Sequence, residues 1–155
     1  MDNIYVYDRN TGFILYSIDN ATPEKIEKLQ KKGIAFIVAR RAALLNQYVV
    51  TANGQPIGFD KIQHQDIAQD KQGIFADGND RVVFTGIAPG TAVSVDKQFV
   101  WTANSTDTSF AFSVNGFSTT NYTIRFQKYG YHKAQYQVAT LPPPPLVTEM
   151  ISDPQ

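Results

Sequence analysis

The spacing of apolar positions changes twice along this chain, and each change marks a different architecture. Between residues 4 and 18, "IYVYD" and "FILYSI" flank "RNTG". This predicts a hairpin, with Gly12 at the turn position that favours positive φ. Side chains alternate across a strand, so Ile4 and Val6 fall on one side and Tyr5 and Tyr7 on the other. A small hairpin that is apolar on both faces must be covered on both, by its own helix and by a further element. The helix is predicted over 22–33: Thr22 as N-cap, Pro23 at the first helical position, Glu24 against the dipole, and Gly33 as the stop. Glu24–Lys28 and Glu27–Lys31 are i,i+4 pairs in the favourable order, and Ile26 and Leu29 form a narrow apolar stripe. "IAFIV", residues 34–38, reads as a buried strand. "QYVV" and "QPIGF" flank Asn53–Gly54, a two-residue hairpin signal. Residues 1–60 thus form a ββαβ–ββ module.

Residues 61–73 break the pattern. They are polar, with Gln63, Gln65, Gln69 and Gln72, and predict a linker or one short helix. From Ile74 the period becomes two. Phe110, Phe112 and Val114 alternate with Ser109, Ala111 and Ser113; Tyr122, Ile124 and Phe126 with Thr123, Arg125 and Gln127; Ala134, Tyr136 and Val138 with Lys133, Gln135 and Gln137. Each set is a half-buried strand with one polar face. Val82/Phe84 and Val93/Val95 add two more, and "ADGND", "IAPGT", "NSTD" and "YGYH" supply turns. Roughly seven short strands between such turns describe a small antiparallel sandwich over 74–140. Trp101, beside Phe99, is its expected largest core residue, packed with Val82, Phe84, Val93, Val95, Phe110, Phe112, Tyr122, Ile124, Phe126 and Tyr136. Residues 141–155 close the chain as "LPPPPLVTEMISDPQ". Pro142, Pro143, Pro144 and Pro145 fix φ and lack donors, which predicts an extended polyproline II stretch. Its apolar residues, Leu141, Leu146, Val147, Met150 and Ile151, are expected to anchor it in a groove on another chain.

Composition narrows the classes of function. Lys+Arg and Asp+Glu balance at 14 each, so no net field steers nucleic acid or an anionic membrane. The basic cluster of Lys25, Lys28, Lys31, Lys32, Arg40 and Arg41 is interleaved with Glu24 and Glu27 and reads as a solvated face. There is no cysteine, hence no disulfide and no thiolate metal site. Asp2 and Asn3 lead directly into a strand, so no secretory leader is expected, and no apolar run approaches the roughly 20 residues of a membrane span.

Candidate chemistry is sparse. His64 and His132 are the two histidines, far apart in sequence; both read as surface or turn residues rather than zinc ligands. No Ser, Thr or Asp sits in a nucleophile-elbow pattern. Asp77, Asn79 and Asp80 around Gly78 supply too few carboxylates for a calcium loop and read as a β-turn. Asn20, Asn104 and Asn121 open sequons that read as Asn-containing turns. Tyr5, Tyr7, Tyr129 and Tyr131 suit core or interface packing first and sugar stacking second. Neither a catalytic residue, a cofactor nor a bound metal is expected.

Two stretches carry a resemblance. "IYVYDRNTGFILYSIDNATPEKIEKLQKKGIAFIVA…QYVVTANGQPI" resembles the N-terminal module of small tailed-phage virion proteins. "IFADGNDRVVFTGIAPGTAVSVDKQFVWTANSTDTSFAFSVNGFSTTNYTIRFQKYGYHKAQYQV" resembles the Ig-like domain that often follows it. Together they span roughly residues 3–140; "RRAALLN" and the Pro-rich tail match neither pattern. The resemblance implies a mainly β chain, an N-terminal α+β anchoring module followed by an Ig-like antiparallel β-sandwich; the polar linker between them and the extended tail are read from the residues alone. It also implies a non-enzymatic structural component of a bacteriophage particle, tail-associated at a tip, collar or fibre attachment. Its expected partners are other virion proteins and copies of itself, with Tyr5, Tyr7 and the tail residues as the binding surface. A capsid decoration protein and a carbohydrate-binding module for host adhesion are the alternatives.

Overall fold

The computed structural model describes residues 2–40, 46–116 and 121–142, and it is mainly β. It divides into two compact units: residues 1–65 with 127–134, and residues 66–126 with 135–155. The span expected as one sandwich is therefore interrupted, because residues 127–134 cluster with the first unit.

In the first unit, β1 (Asn3–Tyr7) pairs antiparallel with β2 (Ile14–Ile18) and with β3 (Phe36–Ala39), giving the order β2-β1-β3. Helix α1 (Pro23–Lys31) starts as its sequence requires. Thr22 Oγ1 accepts from the Lys25 amide at 3.3 Å, Pro23 occupies the first turn, and Glu27 pairs with Lys31 at 3.2 Å. The helix covers one face of the sheet, where Ile4, Val6 and Leu29 are buried together. The opposite face is covered by a second hairpin, β4 (Gln47–Ala52) with β5 (Gln55–Lys61), which places Val49 and Phe59 against Tyr5, Tyr7 and Ile37. Asn53 and Gly54 turn that hairpin at φ 52° and 77°, the geometry of a type I′ turn. The further element that the two-faced hairpin demanded is thus β4–β5. Strand β3 differs from its expectation: Ile37 is buried but Val38 is exposed at the sheet edge, so the strand is half-buried.

The second unit is a sandwich of two sheets. A five-stranded sheet runs β10 (Gln98–Thr102), β9 (Ala92–Val95), β12 (Asn121–Gln127), β13 (Ala134–Leu141), β7 (Gly73–Phe75). A three-stranded sheet runs β11 (Phe110–Asn115), β8 (Asp77–Thr85), β6 (Ala68–Gln69). Strand β6 joins β8 antiparallel and β7 joins β13 parallel, so the chain changes sheet between residues 69 and 73. Phe84 from one sheet meets Phe126 from the other at 5.2 Å between ring centroids, and Tyr136 closes the triangle at 5.6 and 5.7 Å. Ile74, Ile87, Val82, Val93, Ile124 and Val138 complete the unit's fully buried apolar set, with Thr91 buried among them.

Two expectations need correction here. Residues 61–73 contain no helix; they run extended, burying Ile62 in the first unit and Ile67 in the second before forming β6. Two isolated isoleucines five apart fit neither a helical nor a strand period, which hid their role. Trp101 is not the central core residue either. It lies on edge strand β10, where the register shifts between Phe99 and Trp101. That irregularity turns Phe99 outward, 63% exposed, and leaves Trp101 half-buried and stacked on Phe110 at 5.8 Å. Val95, Phe110, Phe112, Tyr122 and Tyr136 are likewise half-buried around the Phe84–Phe126 centre.

Candidate functional site

The polar chemistry of the first unit gathers where residues 127–134 return to it. The Gly130 amide donates to the Thr11 carbonyl at 2.8 Å, and Tyr129 donates its hydroxyl proton to the Val49 carbonyl. The Tyr129 ring lies directly over Gly12: a Cβ there would sit 2.7 Å from the ring. Gly130 in turn lies under Tyr48, where a Cβ would sit 2.6 Å away. Both glycines have φ near +80°, so each position excludes a side chain by space and by backbone conformation. Tyr48 and Tyr129 meet edge-to-face at 5.8 Å. Burial pushes both phenols above the ordinary tyrosine range, and the charge of Asp60 adds to the rise at Tyr48. Both hydroxyls therefore stay protonated as donors at neutral pH.

Beside this junction an open cleft of about 830 Å³ runs along β3, lined by Tyr7, Arg9, Gln30, Phe36, Gln55 and Tyr129 among others. Arg9 donates to the Gly33 carbonyl at 2.9 Å at its edge. The cleft mixes aromatic faces with amide and guanidinium groups.

The same returning segment brings the two histidines together. Gln63 and Tyr131 form a parallel bridge, and one residue further on His64 and His132 lie side by side, exposed, with ring centroids 4.5 Å apart and planes at 29°. Phe13 lies 6.0 Å from His132. The two histidines lie far apart in sequence, and only the pairing of "QH" at 63–64 with "YH" at 131–132 carries a signal of their contact.

Other expected site residues find other surroundings. Tyr5 and Tyr7, expected on a partner-binding face, are buried at 5% and 7% exposure against β4–β5, because the second apolar face of the hairpin needed that cover. Tyr131 is half-buried under the Lys128 ammonium, 4.9 Å from its ring centroid. The Asp77–Asp80 segment opens β8, and its carboxylates are engaged internally. Asp77 accepts from the amides of Asn79 and Asp80 at 2.8 Å; Asp80 accepts from Lys71 at 2.7 Å and from the Phe75 amide at 2.8 Å. The Lys71 hydrogen bond at Asp80, and the backbone amides at Asp77, hold both carboxyls below the ordinary range. Leu141 ends β13, exposed, and Pro142 follows it; Pro143, Pro144, Pro145, Leu146, Val147, Met150 and Ile151 lie outside the described residues, as does Arg41. Among the described residues no group of three or more His, Cys, Asp or Glu side chains is placed to hold a metal ion, and no helix is long and apolar enough to cross a membrane.

Large apolar side chains are exposed on several strands, among them Val38 on β3, Ile57 on β5 and those of two further outer strands. On β2, the outer strand of the first sheet, Leu15 is 61% exposed and Tyr16 half exposed. On β10, the outer strand of the five-stranded sheet, Phe99 and Val100 are both exposed. No protein-family model, curated protein or solved structure matches the chain.

Proposed function

We propose that this chain is a non-enzymatic structural component of a tailed bacteriophage particle, tail-associated, that acts through protein–protein contacts. The observation that carries the contact role is the pair of outer strands with uncharged apolar side chains facing solvent. Strand β10, "QFVWT", has no charged residue and no proline, and among the described residues no strand pairs with its outer edge. Proteins normally blunt such edges with charge or proline, and an unblunted edge suits strand addition by a partner. The virion setting rests on the resemblance of the two stretches quoted above and on their order, a small hairpin–helix–hairpin unit with a β-sandwich after it. The seven strands β7–β13, with the first of them parallel to the last, support an Ig-like reading of that sandwich.

Mass spectrometry of purified particles from a phage encoding this chain tests the proposal. About three to twelve copies, set by the symmetry of a tail ring or tip, are expected. Hundreds of copies assign it to capsid decoration instead, and its absence from the particle overturns the proposal.

The cleft along β3 favours a second reading, a carbohydrate-binding module. Tyr129 offers a half-buried aromatic ring there, and Arg9, Gln30 and Gln55 offer sugar-compatible hydrogen-bonding groups. Glycan-array binding that disappears in an Arg9→Ala, Gln55→Ala variant supports this reading; no binding by the intact chain removes it.

A further inference from the structure

We propose that His64 and His132 form a two-imidazole site for a divalent first-row transition cation, of the Cu²⁺ or Ni²⁺ class. The backbone fixes the pair. The Gln63 amide donates to the Gly130 carbonyl at 2.9 Å and the His132 amide donates to the Gln63 carbonyl at 2.9 Å, which is the hydrogen-bond pattern of a parallel bridge. Side chains one step beyond a bridge leave the same face of neighbouring strands, about 4.7–4.9 Å apart. His64 and His132 occupy those positions, and the 4.5 Å ring separation follows from it. The order is local and inexpensive: both side chains are exposed, yet their Cα atoms are held by backbone hydrogen bonds.

A cation bound at about 2.0–2.1 Å from each imidazole nitrogen holds the two donors roughly 3 Å apart. Stacked rings reach that spacing by turning about their own side-chain torsions, without backbone movement, and the open solvent side leaves room for the turn. Imidazole is a borderline donor that suits Cu²⁺, Ni²⁺ and Zn²⁺, with Cu²⁺ tightest in the usual order of affinity. Because the described residues provide no third ligand of the His, Cys, Asp or Glu type, the remaining coordination positions belong to water. Such a site is open and exchangeable, and distinct from a closed four-ligand structural centre. Its effect on the protein follows from its place: the cation ties the segment after β5 to the segment that returns after β12, two stretches far apart in sequence. Closing so long a loop stabilises the first unit by an amount that rises with the logarithm of the free cation concentration once the site is mostly filled.

The untagged full chain is titrated with CuCl₂ and, separately, NiCl₂ by calorimetry, with thermal melts at each concentration. The expected result is one cation per chain and a melting midpoint that rises with metal. His64→Ala and His132→Ala each weaken binding at least about tenfold, because either change forfeits the effective concentration of the second ligand. The double variant binds no tighter than either single one. As a check on the unmutated chain, both histidines' ring proton signals broaden together on adding substoichiometric Ni²⁺. Affinity that survives either single substitution, or broadening at one histidine alone, overturns the proposal.

Discussion

The two units solve the problem of an aromatic interior in different ways. In the second, phenylalanines from facing sheets meet directly: Phe84 and Phe126 are completely buried, and the one polar ring in the triangle, Tyr136, sends its hydroxyl to the Ile67 carbonyl at 3.0 Å. In the first, a single sheet has apolar residues on both faces, so its core is split into two small clusters. There the large buried rings are Tyr5 and Tyr7, while the half-buried Tyr48 and Tyr129 are positioned by close glycine contacts and, at Tyr129, by a hydroxyl bond. The lesson is that a sandwich concentrates its stability in a few rings, whereas a two-faced sheet distributes it over close approaches that tolerate almost no added atom.

Substitutions can break or sharpen that contrast. The largest effect is expected at Phe84→Ala, about 3–5 kcal/mol lost from the second unit, because a cavity opens at the meeting of both sheets. Trp101 is the only tryptophan and lies in that unit, so denaturation followed by its fluorescence reads the loss directly. Phe112→Ala, at a half-buried position, should cost less, about 1–2 kcal/mol in proportion to the smaller area. Equal losses at the two positions would mean that the core is not centred on Phe84–Phe126.

Gly130→Ala comes next in the first unit, at about 1–3 kcal/mol from backbone conformation alone and more from the Tyr48 contact. Gly116→Ala is its control, since Gly116 has φ 94° but, among the described residues, no atom within 4 Å of an added Cβ. Hydrogen exchange of the β4 and β5 amides should report the Gly130 change. If both substitutions cost the same, the close approach contributes nothing.

Smaller still, Tyr129→Phe and Tyr136→Phe each remove one hydroxyl donor and should cost about 1 kcal/mol. These phenols, with Tyr48, also set an alkaline limit. Their folded pKa lies above the unfolded value of about 10, so the stability they contribute is complete below that pH. It is lost as pH rises through the folded values, and a thermal midpoint falling above pH 10 in the intact chain should fall less steeply in the two Phe variants. At the other extreme Asp77 and Asp80 have lowered pKa values. The stability they contribute is present above the ordinary carboxylate range and declines as pH falls through it. Asp77 is exposed, and Asp80, half-buried, pairs with an exposed lysine, so the acid effect is the smallest of the set, and Asp80→Asn should flatten the acid side of the melting profile.

The local signals of the sequence translated well where one segment sufficed. Thr22–Pro23–Glu24 capped a helix, Asn53–Gly54 turned a hairpin, and the alternation around Phe110, Ile124 and Val138 became strands with one buried face. Legibility failed where a position depends on a distant partner. Ile62 and Ile67 looked like stray apolar residues in a polar stretch because their cover comes from elsewhere in the chain. Trp101 looked central because size suggests burial, but a register shift on an edge strand decides its depth. Of the candidate site, the tyrosines at 129 and 131 were visible as aromatics and "YGYH" as a turn. That Gly12, Tyr48 and His64 meet that turn is a property of topology, carried by no periodicity.

The allocation of residues 127–134 to the first unit has a consequence for how such a chain can be inherited. The stretch at 61–73 looks like a seam at which recombination could exchange one module for another. A crossover there would carry Tyr129, Gly130 and His132 away with the sandwich and leave Gly12, Tyr48 and His64 facing a stranger's loop. The two units are therefore not freely interchangeable cassettes: descent must keep residues 1–65 and 127–134 matched, and swaps that succeed must either include both or re-fit residues 127–134.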